Sequence, residues 1–433
     1  MHREQFKSRL LFRGFCNCFN EVKYLKSKIY LNIKPFILYT IMTKKLFTIA
    51  LTGLISTTAF AADLYVRNGG VGGAYSTVSA AITAASNGDR IIIQPKTNGT
   101  AYVENLTINK SLTFVSETNY NKYIIQGNIT ISPAAGRVIT ISSLSSGTTG
   151  GYIVEASGSA TGGRTTINLL NCDLHNVFTY QVNTTTNISG SKIRERLIFS
   201  HGRCTSNKAN YINLYSQAPD TSLANSDIEV YGNISESGIS NAQLNYNFRF
   251  YNNFCTGFIV SNFKSGGSGE IINNTVYSTN PGDFAPFYIS VNGSVTGNIN
   301  IMNNAASFAA GPITACINNA TNTVSVAASY NVFTNPFVTQ GDITQSNNSG
   351  QVNMNFDNTA YTIAGMNANA GNPATSYTDL DLTRNDAGHY GGSNSWANYW
   401  PTDAGGKPQV NYLLTPRSIS SGTLNITGSG FSK

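Results

Sequence analysis

Charge is what this sequence has least of. Only 11% of its 433 residues are Asp, Glu, Lys or Arg, under half of the ~25% usual in globular proteins. A disordered, highly charged chain is thereby excluded, and the 40 Gly follow no collagen period. No uninterrupted apolar run reaches the ~18–20 residues of a membrane-spanning helix. There are only 2 Trp. The net charge of +7 is concentrated at the amino end: residues 1–61 hold about 10 of the 28 basic residues and about 2 of the 21 acidic ones. The remainder carries about 18 basic against 19 acidic residues. Nucleic-acid binding needs a basic footprint, and with no net positive charge beyond residue 61 it loses its main support.

What is abundant is asparagine, with about 50 between residues 62 and 433. Asn, Gly, Ser and Thr favour turns and weaken helices, so the expectation is an all-β chain.

Residues 42–61 read as a secretory signal peptide. Lys44 and Lys45 form its positive region, Leu46 to Ile55 its short apolar core, and Ala59-Phe-Ala61 its cleavage pattern. The basic, aperiodic residues 1–41 are most economically a mis-assigned upstream extension, with translation starting at Met42. Cys16 and Cys18 have no His or Cys partner at zinc spacing. The expected location is outside the bacterial cytoplasm, secreted or at the cell surface.

One helix is predicted, over Ser76–Ser86, because Val78, Ala81, Ile82 and Ala85 share a face. Short alternating strands follow at Arg90–Ile93, Leu106–Ile108, Leu112–Phe114, Ile124–Ile125 and Ile129–Ile131. Further on the chain repeats itself. Ile167-Asn-Leu-Leu-Asn-Cys172, Ile228-Glu-Val-Tyr-Gly-Asn233 and Phe248-Arg-Phe-Tyr-Asn-Asn253 share one form. Gly269-Glu-Ile-Ile-Asn-Asn274 and Ile299-Asn-Ile-Met-Asn-Asn304 share it too, and Val324-Ser-Val326 reads as a last copy. A period of roughly 20–30 residues with one strand per copy is a solenoid signal. Stacked copies bury a common core, and the Asn at each strand end can bond to the Asn of the next coil.

These segments resemble the right-handed parallel β-helix (pectate-lyase-like) superfamily. The stretch Ala80-Ala-Ile, Gly88-Asp-Arg-Ile-Ile-Ile, Tyr102-Val-Glu-Asn-Leu-Thr-Ile108 and Leu112-Thr-Phe114 is similar to the capping helix and first coils of its members. The segment Ala370-Gly-Asn-Pro373 with Tyr377-Thr-Asp379-Leu-Asp381-Leu-Thr-Arg384-Asn-Asp386-Ala-Gly388-His-Tyr390-Gly-Gly392 resembles the closing segment of choice-of-anchor Q type bacterial surface proteins. The implied architecture is an all-β, right-handed parallel β-helix over 62–392, with an N-terminal capping helix and a short extension over 393–433. A final strand is expected at Thr423–Ile426. The resemblance implies fold and export; the reaction motifs of its enzyme families are missing. There is no Gln-Asp-Thr, no Gly-Arg-Pro-Trp, no Asp-Asp pair and no Trp-x-Asp-His, and Ser200-His201-Gly202 only approaches Gly-His-Gly.

Three groups remain as candidate sites. Lys192, Arg194, Arg196, His201 and Arg203, with Lys208, concentrate basic charge in a charge-poor chain. A lyase acting on acidic sugars needs cations and a base, which these could supply; the alternative is a solvated outer loop of two coils. Glu229, Arg249 and Glu270 share one register in successive copies. They read as an outward ion ladder, or as a paired-carboxylate site. Asp379, Asp381, Asn385 and Asp386 could present oxygens to Ca²⁺, the one cofactor considered; the alternative is an Asx-rich turn closing the last coil. Cys172, Cys204, Cys255 and Cys316 read as free buried thiols or as disulfides. The leading expectation is a non-catalytic protein binding a polysaccharide or cell-surface glycan. The second is a lyase or hydrolase acting on acidic polysaccharide.

Overall fold

The computed structural model describes residues 61–398, apart from 120, 217–226, 243–244, 280–283, 292, 310 and 313, together with 409–414 and 427–431. The expected 1–41 extension and, Ala61 apart, the signal peptide expected at 42–61 lie outside them, as do Trp400 and the strand expected at Thr423–Ile426.

The chain winds as a parallel β-helix. A sheet of 13 strands runs from Asp63–Val66 to Ile343–Ser346 in unbroken chain order, so each coil lays one strand on the last. Neighbours pair in parallel, as in Ile228↔Phe248 and Phe248↔Gly269. Crossovers between parallel strands are right-handed almost without exception. The other faces share a sheet of 20 strands. Short strands such as Phe254–Cys255 form a second face, and Phe258–Asn262 and its equivalents a third.

The repeated hexapeptides form successive strands of the first sheet, as their pattern predicts. One register differs. Ile299 faces Val326, and Val324 faces Gly297. The last step is therefore 27 residues, the separation also seen between Asn304 and Asn331. Four strands of this sheet were not among the predicted copies: Val138–Ser142, Thr184–Ser189, Gly202–Thr205 and Ile343–Ser346. In Thr184–Ser189 and Gly202–Thr205 the inward positions hold Thr184, Thr186 and Gly202, where most other coils place aliphatic or aromatic side chains. Gly202 has φ +122 and approaches Thr186 so closely that a Cβ would lie 2.1 Å from its carbonyl oxygen.

Each corner after the first sheet repeats one device. The first residue turns in the left-handed region, as at Gly190, Ser206, Gly232, Asn252, Asn273 and Asn303. The next points inward and continues a ladder. Asn233 Nδ2 donates to Asn253 Oδ1 at 3.0 Å, Asn253 to Asn274 at 2.9 Å, Asn274 to Asn304 at 3.0 Å and Asn304 to Asn331 at 2.9 Å. The backbone N–H of each ladder Asn donates to the same oxygen of the next. Asn is the residue that can both tolerate the left-handed turn and pair with copies of itself. Within the coils Phe250, Phe258 and Phe287 stack, the last two with centroids 5.7 Å apart.

The predicted helix is Val78–Ala84, shorter at both ends because Thr77 and Ala85 are extended. Its face of Val78, Ala81, Ile82 and Ala85 is buried, as expected. Thr77 caps it, and Glu104 accepts from the N–H groups of Val78 and Ser79. Lys110 Nζ donates to the carbonyls of Ile82, Thr83 and Ala85. A seven-residue helix is marginal alone, and these contacts from the next coil hold it.

The parallel coils end at Ser346, earlier than the expected 392. Residues 350–398 form an antiparallel hairpin, Met354–Asp357 with Thr362–Gly365, followed by turns that lie along the corners of earlier coils. Asn252 Nδ2 donates to the carbonyls of His389 and Gly391, and Asn273 Nδ2 to Asn385 Oδ1 and the Asp386 carbonyl. Asn303 Oδ1 accepts from the Asn372 N–H. Trp396 packs with Ile234 and Phe254. A second hairpin joins Gln409–Leu414 to Thr427–Phe431.

Candidate functional site

The basic segment 191–208 forms strands, Lys192–Phe199, Gly202–Thr205 and the start of Lys208–Leu214, and no outer loop. Its charges hide an alternation in which Ile193, Leu197, Phe199, Cys204 and Ala209 are buried. Chain winding then sends its cations to different faces. Lys192 lies exposed between Asp173 and Lys208 in register. Arg194 pairs with Asp173 at 2.7 Å and donates to the Gly147 carbonyl. Arg203 lies on the first sheet. His201 is buried, with Nδ1 3.1 Å from Thr185 Oγ1 and its ring over Tyr246.

Arg196 alone faces an open groove. Outward residues of the third face stack in the register Phe178↔Ile198↔Asn213↔Ser240, and Arg196 pairs beside Tyr211. The groove has a volume of about 530 Å³, with Asn176, Glu195, Arg196 and Tyr211 in its walls. The Tyr211 hydroxyl donates to Ser240 Oγ at 2.7 Å, which donates to Asn213 Oδ1 at 2.8 Å. Glu195 Oε2 accepts from Asn176 Nδ2 at 3.0 Å and lies 3.4 Å from His175 Nδ1. Among the described residues the Arg196 guanidinium has no hydrogen-bond or ion-pair partner, although Arg196 is exposed. Phe178, Tyr180 and Tyr215 continue as an aromatic row, the first pair tilted and the second edge-on, with centroid separations of 6.4 and 5.8 Å. His175, Phe178 and Tyr211 were not legible as a group, since coils separate them by up to 36 residues and winding alone brings them onto one face.

The expected ladder on the first sheet is present. Arg203 Nε lies 2.5 Å from Glu229, Arg249 lies 3.9 Å from Glu229 and 3.5 Å from Glu270, and Arg249 also meets Asp227 at 2.8 Å. Tyr231 and Tyr251 stack at 5.0 Å and donate to Glu229 and Glu270. Glu229 and Glu270 are each matched by a guanidinium and a hydroxyl, which is the arrangement of a structural ladder. Burial of Tyr251 and the neighbouring Glu270 hold its phenol far above the ordinary range.

Asp379, Asp381, Asn385 and Asp386 each serve a turn. Asp379 accepts from the N–H groups of Gly392 and Asp386, Asp381 from Thr383, and Asp386 from Asn369. Asn385 joins Asn273 to the Tyr377 carbonyl. Among the described residues no three His, Cys, Asp or Glu side chains gather as metal ligands, and the side-chain oxygens of this segment accept from backbone N–H groups, the Thr383 hydroxyl and the Asn273 amide. Cys172, Cys204, Cys255 and Cys316 are free and buried. Burial pushes the thiols of Cys172 and Cys316 up to about 11 and that of Cys204 to about 12, so they stay protonated.

Two titrating groups hold the docked segment with opposite sign. His389 is fully buried between Phe254 and Trp396, and burial depresses its pKa from 6.5 to about 3. It binds its proton more weakly when docked, so it weakens docking as pH falls below 6.5 toward 3. Asp379 is raised from 3.8 to about 6, chiefly by burial, so its contribution is full below 3.8 and lost as pH rises through 6. Each has a limiting slope of about 1.4 kcal/mol per pH unit. The wild type should therefore show a shallow pH dependence of 350–398 protection in hydrogen exchange. In Asp379→Asn protection should fall on acidification below 6.5, and in His389→Asn it should fall as pH rises toward 6. Equal slopes in the two variants would refute the assignment.

The chain matches no family model, no curated protein and no solved structure. The fold defines the class, a parallel β-helix with a C-terminal segment docked along its corners.

Proposed function

We propose that this is an exported, non-catalytic parallel β-helix protein that binds a polysaccharide or cell-surface glycan in the third-face groove. On this reading it is a relative of the pectate-lyase-like proteins without their reaction. The observation that carries the proposal is the groove itself, where Phe178 and Tyr211 stand beside the unpaired Arg196. Sugar rings stack their C–H faces on aromatic side chains, and the polar wall meets their hydroxyls. The groove crosses several coils, which set aromatic, charged and amide groups side by side at the ~4.8 Å strand spacing. An extended polymer suits that geometry better than a compact ligand.

The test is binding of the full chain to arrayed glycans, followed by titration calorimetry on the strongest. Phe178→Ala and Tyr211→Ala should each weaken binding on the order of tenfold, with reducing ends and unsaturated products unchanged. Binding that survives both substitutions would remove the groove from the account. Depolymerisation lost in His175→Ala and Arg196→Ala would replace it with the lyase or hydrolase reading, because His175, Glu195 and Arg196 would then supply the base and the cation.

A further inference from the structure

We infer that the groove turns the coil corner at Glu236–Ser237 and continues into a cavity beneath the hairpin of Met354–Asp357 and Thr362–Gly365, so that the docked segment supplies a second subsite for the same glycan chain. The inference rests on the glycan reading above and adds to it where the chain runs and which element completes the site.

Ser237 lines the groove, and its hydroxyl donates to Asn210, another groove residue, at 2.6 Å. The adjacent Glu236 lines a separate cavity of about 260 Å³, bounded by Phe254, Thr256, Tyr277, Asn358 and Tyr361. Glu236 and Ser237 are both exposed, so the corner between the two spaces is open to solvent. The far wall comes from the hairpin. Tyr361 has φ +57, a conformation that a bulky residue rarely keeps without a reason. It holds its hydroxyl 2.6 Å from Lys208 Nζ and donates to Glu236 Oε1 at 2.7 Å. Lys208 lies over its ring at 4.6 Å. On the opposite side Tyr277 is fixed by stacking on Phe356, with centroids 5.1 Å apart and planes 5° from parallel.

The cavity repeats the groove's chemistry on a smaller scale. Aromatic walls stand beside a carboxylate, a hydroxyl and an exposed amide, the groups that pair with the face and the hydroxyls of one sugar ring. Lys208 already neutralises Glu236 at 3.0 Å, so the cavity selects hydroxyls and has no spare cation for an anionic substituent. Two such subsites joined by a continuous ligand act as linked sites. A chain that reaches both gains affinity that a short chain cannot.

The experiment is calorimetry of the full chain with cellooligosaccharides and oligogalacturonides, from disaccharide to octasaccharide. Affinity should rise with length. Asn358→Ala and Thr256→Ala should lower octasaccharide affinity about tenfold and leave the disaccharide unchanged. Tyr211→Ala should weaken every length. In hydrogen exchange the octasaccharide alone should protect residues 356–362. Length dependence identical to wild type in both cavity variants, with Tyr211→Ala still harmful, would overturn the second subsite and leave the groove standing. Absence of binding by either series would overturn both.

Discussion

Asn274→Ala lowers the stability of the solenoid by about 3–5 kcal/mol, the upper end of what a single substitution does. Asn274 is fully buried. Its Oδ1 accepts from both the N–H and the Nδ2 of Asn253. Its Nδ2 donates to the carbonyls of Phe250 and Ile272 and to Asn304 Oδ1. Alanine removes all of these and strands two Asn253 donors inside the coil, where each orphan costs about 1–3 kcal/mol. A small void adds to the loss. The exposed Asn298, on the same sheet, should tolerate alanine within about 0.5 kcal/mol. Urea unfolding of both variants measures the difference. A change below 1 kcal/mol at Asn274 would mean that water replaces the ladder, and the ladder would lose its standing as the main polar element of the core.

Asn273→Gly loosens the C-terminal segment and spares the coils. Asn273 sits at φ +55, and its amide reaches out of the coil to Asn385 and the Asp386 carbonyl. Glycine accepts that backbone without strain, so apart from a long 3.5 Å contact to the Asn303 carbonyl the substitution removes only docking contacts. Two buried bonds make about 2–4 kcal/mol of local stability. Exchange of amides across 367–392 should accelerate on the order of a hundredfold, with the strands Gly267–Ile272 and Gly297–Met302 unchanged. Asn273→Ala should do the same and destabilise the coil by a further ~1 kcal/mol, because a Cβ is unfavourable in the left-handed region. Loss of protection throughout the sheet in the glycine variant would show that docking and winding are one cooperative unit.

The Asn-Asn dipeptides hold most of what could be read in advance. In Asn252-Asn253, Asn273-Asn274 and Asn303-Asn304 the second residue is the ladder, and its periodic recurrence after an alternating strand was visible in the chain. The first residue's task was not visible. It turns the corner, and in these three coils it also anchors residues 372–391, between 69 and 139 positions away. The same limit governs the candidate site. Charge clustering drew attention to the run from Lys192 to Lys208, yet consecutive strand residues alternate between core and solvent, and a coil distributes the exposed ones over several faces. Glu229, Arg249 and Glu270 kept their register because each lies at the same place in a regular copy. The coils built on Thr186 and Gly202 broke the hydrophobic pattern and with it the register that would have placed Arg196 beside Tyr211.

The sequence by itself therefore determined the architecture: short alternating strands, a turn residue and an inward Asn, repeated until neighbours could bury one another. Those signals are local and periodic, and backbone geometry with strand alternation converts them directly into a stack. The tertiary structure alone decided which side chains share a groove and where residues 350–398 lie. Both depend on coil lengths that vary from step to step, so the sequence offset between stacked residues is not constant and only the strand register fixes which side chains become neighbours.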